Sequence, residues 1–289
     1  MQSLLRRVPA LLLLVLAATC AGAGARTHAP LPPGTVVDGS YLSKALRGTI
    51  HYAVYLPAGY AVGDEHYPVV YLLHGLPGHM DSYKSIGFIT RPVEASGLPA
   101  IVVGVQGARK GDADPEWHDW GPGRDWATAT AKELVSVIDR RYRTIPTRRG
   151  RALIGISAGG YGATLIGIHN PSVYSVIESW SGYFHATDPA GTGPMDLGSK
   201  AENDAANAHT LVPQMKAAFT RYRPTLYGFY VGTSDRLFLA ENRTFDRELT
   251  AAHVMHDYAE YSGGHTATFW RRHETEWVTD ALARLEAPR

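Results

Sequence analysis

Three side chains suited to nucleophilic chemistry stand out by type, order and setting: Ser157, Asp235 and His265. Ser157 lies in "RALIGISAGGYGATLIG", residues 151–167, where an apolar run of strand character ends in a lone serine between Gly155 and Gly159. A Gly-x-Ser-x-Gly pattern between a strand and a helix is a nucleophile elbow, a sharp strained turn that lifts Oγ above the sheet and that bulky neighbours would block. Ala158 then starts the helix behind it. A serine hydroxyl is a weak nucleophile until a base takes its proton and an acid orients that base. On such elbows the order along the chain is Ser, then Asp or Glu, then His. Asp235 closes "TLYGFYVGTSD" and His265 closes "YAEYSGGH", where two glycines let the loop turn back over the serine, so the order is met.

Both assignments have rivals. Asp235 also suits a helix N-cap for the segment after it, and Glu241 and Asp246 are alternative acids. Asp235 alone lies directly at a strand end, which favours it. His256 precedes its strand, and His273 falls inside a predicted helix. His51, His118 and His253 read as surface or packing residues. Acyl transfer further requires N–H donors aimed at the developing oxyanion. "YLLHGLPGH" ends a strand at His74-Gly75 and continues in a glycine-bearing loop, which aims the Leu76 N–H at the site. Its partner is the Ala158 N–H, next to the nucleophile. His74 itself reads as a residue that holds the loop. No His/Asp/Glu grouping has zinc-ligand spacing, so the chemistry is expected to run without metal or cofactor.

The elements that must hold these residues are legible as alternating patterns. "IHYAVYLP", "YPVVYLLHG", "PAIVVGVQG", "RALIGIS", "VYSVIESWSG", "TLYGFYVGTSD" and "HDYAEYSGG" are short, rich in β-branched and aromatic residues, and closed by Gly, Pro or polar residues: strands. "DWATATAKELVSVIDRRYR" has its apolar face at Ala127, Ala131, Leu134, Ile138 and Tyr142, the spacing of an amphipathic helix. "FLAENRTFDRELTAAH" and "TATFWRRHETEWVTDALARL" read likewise. Strands alternating with helices predict an α/β fold: a mostly parallel sheet covered on both faces, with the site beyond the carboxyl ends of its strands. Residues 184–223, rich in Gly, Pro and Asp and then weakly helical, read as an insertion over the site. The aromatics Trp117, Trp120, Trp126, Tyr161, Phe184 and Trp270 lie near the motifs; most read as core, some as lining for an aryl or acyl group.

The chain has 289 residues, 45% hydrophobic and 19% charged, with a net charge of +1. That is enough for one domain over residues 36–289, and it offers no basic excess for gripping nucleic acid. The N-terminus differs: "MQSLLRR" is basic, "VPALLLLVLAAT" is apolar, and "AGAGA" offers small residues for cleavage near Ala25. Residues 1–25 therefore read as a signal peptide, followed by a proline-rich linker at 26–35. The apolar run is shorter than the roughly 20 residues of a spanning helix, so export without a stable membrane span is expected. Cys20, the single cysteine, lies within this segment, and Thr19 fits poorly with a lipidated cysteine. Cleavage beyond it leaves no thiol for disulfides or catalysis.

With "YAVYLPAGY", "PVVYLLHGLPG", "GISAGGYGA", "GTSD" and "SGGHTATFW" in this order, the chain resembles the esterase D family of α/β-hydrolases. That family includes feruloyl and acetyl esterases, S-formylglutathione hydrolases, enterochelin esterase relatives and the antigen 85 mycolyltransferases. The similarity runs from about Leu42 to the C-terminal helix. It implies an α/β-hydrolase fold, a Ser157-Asp235-His265 triad, oxyanion N–H groups at Leu76 and Ala158, and hydrolysis of a small-molecule, glycan or lipid ester. Mycolyltransferases generally carry an aspartate at the position of His74 and an arginine at that of Pro77, residues that help hold trehalose. Their absence argues against trehalose as acceptor, and the export signal argues against S-formylglutathione, a cytosolic substrate. Acyl transfer to a sugar or lipid hydroxyl is the runner-up, because it uses the same residues. A non-catalytic ligand-binding or wall protein is the third reading.

Overall fold

The computed structural model describes residues 32–112, 116–188 and 193–289. The signal-peptide reading of residues 1–25, Cys20 and most of the linker lie outside them. The strands are β1 (Thr35–Ser43), β2 (Gly48–Leu56), β3 (Val69–Leu73), β4 (Ile101–Val105), β5 (Arg151–Ile156), β6 (Val176–Trp180), β7 (Leu226–Gly232) and β8 (Asp257–Tyr261). They form one sheet in the order β1-β2-β4-β3-β5-β6-β7-β8. Strands β3 to β8 are parallel, and β2 runs antiparallel to β1 and β4. The helices are α1 (Gly87–Ser96), α2 (Trp126–Thr128), α3 (Val135–Arg141), α4 (Ala158–His169), α5 (Lys200–Ala205), α6 (Val212–Arg221), α7 (Leu239–Ala251) and α8 (Ala267–Ala283).

Strands β3, β4, β5 and β6 are buried at every position. A strand's side chains alternate between faces, so both faces must be covered. Val69, Tyr71 and Leu73 enter one apolar cluster with residues of α3, α4, α6 and α7. Val70 and Leu72 enter another with Ile89 and Val93 of α1 and Trp277 and Val278 of α8. The expected α/β-hydrolase fold is the one observed, and residues 32–289 make one compact unit.

Three features depart from the sequence reading. β1 begins at Thr35, the last residue assigned to the linker, and extends the sheet by an edge strand. Its pattern is weak because Val36, Val37 and Leu42 are exposed, and Gly39 interrupts it where the ring of Tyr52 leaves no room for a Cβ. α1 contains Pro92, which hides it from a pattern search. Between α2 and α3 the chain widens into a π-helical stretch, Ala129–Leu134, from which Glu133 accepts the N–H groups of Lys44 and Ala45 and the Ser43 hydroxyl. This ties the β1–β2 turn to the helical layer. Of the predicted apolar face, Ala131, Leu134 and Ile138 are buried, while Ala127 and Tyr142 at its ends are half-buried. Within residues 184–223, α6 sinks Val212, Met215 and Phe219 into the core, so this part belongs to the covering layer.

Candidate active site

Because β3 to β8 point one way, the residues after β3, β5, β7 and β8 gather at one edge of the sheet. Ser157 follows β5 with φ 57° and ψ −120°, a region non-glycine residues rarely occupy. The turn is held by the Ser157 N–H on the Trp180 carbonyl (2.9 Å) and by the Gly160 N–H on the Ser157 carbonyl (2.8 Å). A Cβ at Gly155 would strike the Gly159 carbonyl, and one at Gly159 would strike that of Leu73. The glycine spacing is thus a backbone-to-backbone contact. Further along α4, Gly162 makes room for Trp117, whose Cγ lies 2.5 Å from where a Cβ would stand.

His265 reaches the serine from β8, across the end of β7. A side chain at Gly232 would meet the Gly263 carbonyl, Gly263 has φ 145°, and the Ser234 N–H donates to the Gly263 carbonyl at 2.7 Å. These contacts fold the loop inward. His265 Nε2 lies 2.9 Å from Ser157 Oγ, and Nδ1 lies 2.9 Å from Asp235 Oδ2. A carboxylate only accepts, so Nδ1 carries the proton and Nε2 accepts from the serine hydroxyl. Phe238 and Trp270 hold the imidazole edge-on from two directions, with ring centroids 5.2 and 5.1 Å away. The Trp270 indole is itself fixed by donating to Ser181 Oγ at 3.0 Å.

The Asp235 side chain is fully buried. Its Oδ1 accepts the N–H groups of Leu237 (3.0 Å) and Phe238 (3.1 Å), while Oδ2 faces His265. The capping role and the imidazole-orienting role weighed for this residue are therefore met by different oxygens. The rivals stand elsewhere: Asp246 pairs with His256 at 3.0 Å, and His273 packs on Tyr261 and Trp277.

The loop after β3 packs on the elbow. A Cβ at Gly75 would lie 2.9 Å from the Ile156 carbonyl oxygen and 3.0 Å from Ser157 Cβ, so the residue before Leu76 lies against the elbow. Ala158 is the first residue of α4, where backbone N–H groups are free of intrahelical partners. His74 staples this loop: Nδ1–H donates to the Gly75 carbonyl (2.9 Å), and Nε2 accepts the Gly107 N–H (3.1 Å). Burial pushes its imidazole down to about 4, so the ring stays neutral. Trp117 packs against it with its ring tilted by 59° and donates to the His74 carbonyl at 3.3 Å. Of the six aromatics, Trp117, Trp126, Tyr161 and Phe184 are buried; Trp120 and Trp270 are partly exposed.

Sequence reasoning missed two things. Phe238 braces His265 from a position with no motif. The other is a cluster joining Glu241 to His185 and His209, each more than 30 residues away in the chain. Burial opposes ionisation of Glu241, yet hydrogen bonds from His185 and His209 hold it down to about 2. Burial likewise works against His209, which Glu241 and Glu248 raise above its ordinary value. Glu241 is thereby engaged away from His265.

The sheet order and the Ser-His-Asp chain at its carboxyl edge define an α/β-hydrolase. Residues 43–276 match the Esterase family model, and the chain belongs to that family. It is similar to an esterase of Mycobacterium tuberculosis, 27% identical over 236 residues, 73% of this chain and 51% of that protein. The chain spans about half the length of the curated relatives it matches. Among solved structures it resembles a ferulic acid esterase (TM-score 0.72, 23% identity, 88% of this chain and 98% of that one). It also resembles an S-formylglutathione hydrolase from Staphylococcus aureus (TM-score 0.69, 16% identity, 86% and 99%). MPT51 of Mycobacterium tuberculosis is a third (TM-score 0.67, 15% identity, 87% and 99%). At these identities the likeness is one of fold. Among the described residues no helix is long and apolar enough to cross a membrane.

Proposed function

We propose that this chain is an exported serine esterase that hydrolyses carboxylic esters through an acyl-enzyme. The observation that carries the reading is the unbroken hydrogen-bond chain Ser157–His265–Asp235, at a serine whose backbone is held in an elbow. As Ser157 Oγ attacks the ester carbonyl carbon, His265 Nε2 takes its proton, and Asp235 steadies the imidazolium. The N–H groups of Leu76 and Ala158 receive the charge on the carbonyl oxygen. The C–O bond to the alcohol breaks, and His265 returns the proton to the departing oxygen. Water, deprotonated by the same nitrogen, then attacks the acyl-enzyme and releases the acid and Ser157.

The partly exposed Trp270 and the exposed Leu237, two residues from Asp235, favour an apolar acyl or aryl part on a small-molecule or glycan ester. The basic, then apolar, then small-residue order of residues 1–25 supports export, and N-terminal sequencing of protein recovered outside the cell tests it.

The activity test compares the protein with Ser157→Ala on p-nitrophenyl acetate, butyrate and octanoate. A loss of ~10⁴-fold or more in kcat is expected; equal rates would refute the assignment. Adding an acceptor alcohol separates hydrolysis from acyl transfer. Free acid as the sole product is the expected result, and an ester of the added alcohol would make the chain a transferase.

A further inference from the structure

Apart from the Ser157 site, His185, His209 and Glu241 converge so that one ligand atom from each lies within 4.8 Å of the others. His185 Nδ1 is 2.6 Å and His209 Nε2 is 3.3 Å from the same oxygen, Glu241 Oε1. That oxygen also accepts the Phe184 N–H at 2.9 Å. A carboxylate oxygen has two lone pairs, so three N–H donors would crowd it. Two ring nitrogens and an oxygen within 4.8 Å of one another suit a cation instead, to which each offers a lone pair.

The far side of His209 fits the same account. Its Nδ1 lies 2.6 Å from Oε2 of Glu248, two turns along α7 from Glu241. A metal-bound imidazole donates its other N–H to a carboxylate, which fixes the tautomer and strengthens the ligand. With a cation on Nε2, His209 keeps its Nδ1–H for Glu248. All three side chains are partly exposed, leaving water to complete the coordination.

We infer that His185, His209 and Glu241 bind a divalent first-row metal ion of the zinc class, with Glu248 as the outer partner of His209. Imidazole nitrogens with one carboxylate are a donor set for such ions rather than for calcium or magnesium. His185 and His209 lie on the stretch between β6 and α6, and Glu241 lies in the first turn of α7, just beyond Asp235. The ion therefore clamps the residues around His185 and those around His209 onto the helix that follows the Asp235 turn. This site is independent of the chemistry proposed at Ser157.

The test uses the untagged protein, stripped with EDTA and exchanged into chelator-free buffer, titrated calorimetrically with zinc chloride and melted with and without zinc. One ion per chain with micromolar or tighter affinity and a higher Tm is the expected result. Absence of saturable one-to-one binding overturns the proposal. His209→Gln and Glu241→Gln are expected to abolish binding, and Glu248→Gln to weaken it roughly 10–100-fold. His253→Gln is the control, with unchanged affinity. Unchanged affinity in both ligand variants would place the ion elsewhere and overturn the assignment. Should either variant fail to fold, X-ray absorption on the zinc-loaded wild type decides: two imidazoles in the first shell support the site, and a shell without imidazole refutes it.

Discussion

Two histidine–carboxylate arrangements stand beyond the carboxyl ends of β6, β7 and β8, and they differ in what lies at the far side of the ring. His265 has Asp235 on Nδ1 and the Ser157 hydroxyl on Nε2. His209 has Glu248 on Nδ1 and Glu241 on Nε2. Both rings are oriented by a carboxylate, yet only the first ends on a group that can lose a proton and become a nucleophile. The second ends on another anion, which suits a cation or a proton bridge. An oriented imidazole is thus common to both, and the elbow that presents Ser157 is what suits one of them to the acyl chemistry proposed above. The same holds for His256, which meets Asp246 on one side and the Val254 carbonyl on the other.

The largest test of this contrast removes one member of each arrangement. Asp235→Asn is expected to lower kcat by about 10³–10⁴-fold, because the amide favours the wrong tautomer of His265. His209→Gln should cost less than tenfold in kcat while lowering the Tm. Comparable losses of turnover in the two variants would erase the distinction. Next in size is Gly159→Ala. The added methyl meets the Leu73 carbonyl, a backbone atom that cannot swing aside, so a loss of about 3 kcal/mol in stability is expected by denaturant unfolding. Near-normal stability would show that the elbow is looser than its contacts imply.

A smaller effect concerns Glu178, buried on β6, where it accepts the Trp180 indole N–H at 2.9 Å. Burial pushes its carboxyl up from 4.5 to about 8. Such a group binds its proton more tightly in the folded state. Its contribution to stability is complete below about pH 4.5 and is lost as the pH rises toward 8. Glu178→Gln should therefore flatten the fall in Tm between pH 5 and 8. An unchanged slope would mean that Glu178 is ionised throughout.

What the sequence revealed follows from how local each signal is. Ser157, Gly155 and Gly159 are read from five consecutive residues because the steric demand of the turn is itself local. Asp235 and His265 are read from strand ends and chain order, since a parallel sheet brings such ends to one edge. Two features were silent: Phe238, which braces His265, carries no motif, and the separate His185–Glu241 contact spans 56 residues of chain. β1 was missed because an exposed edge strand needs no alternation, and α1 because Pro92 sits inside it. His74 is an intermediate case, where a loop-holding role was legible but its partner, the Gly107 N–H, lies on the strand-end loop of β4.

If His265 activates Ser157 as a nucleophile, covalent labelling with a fluorophosphonate followed by peptide mass mapping will find it. One adduct per chain is expected, located on Ser157 and lost in His265→Ala. A chain that stays unlabelled, or that labels at another residue, would contradict that activation.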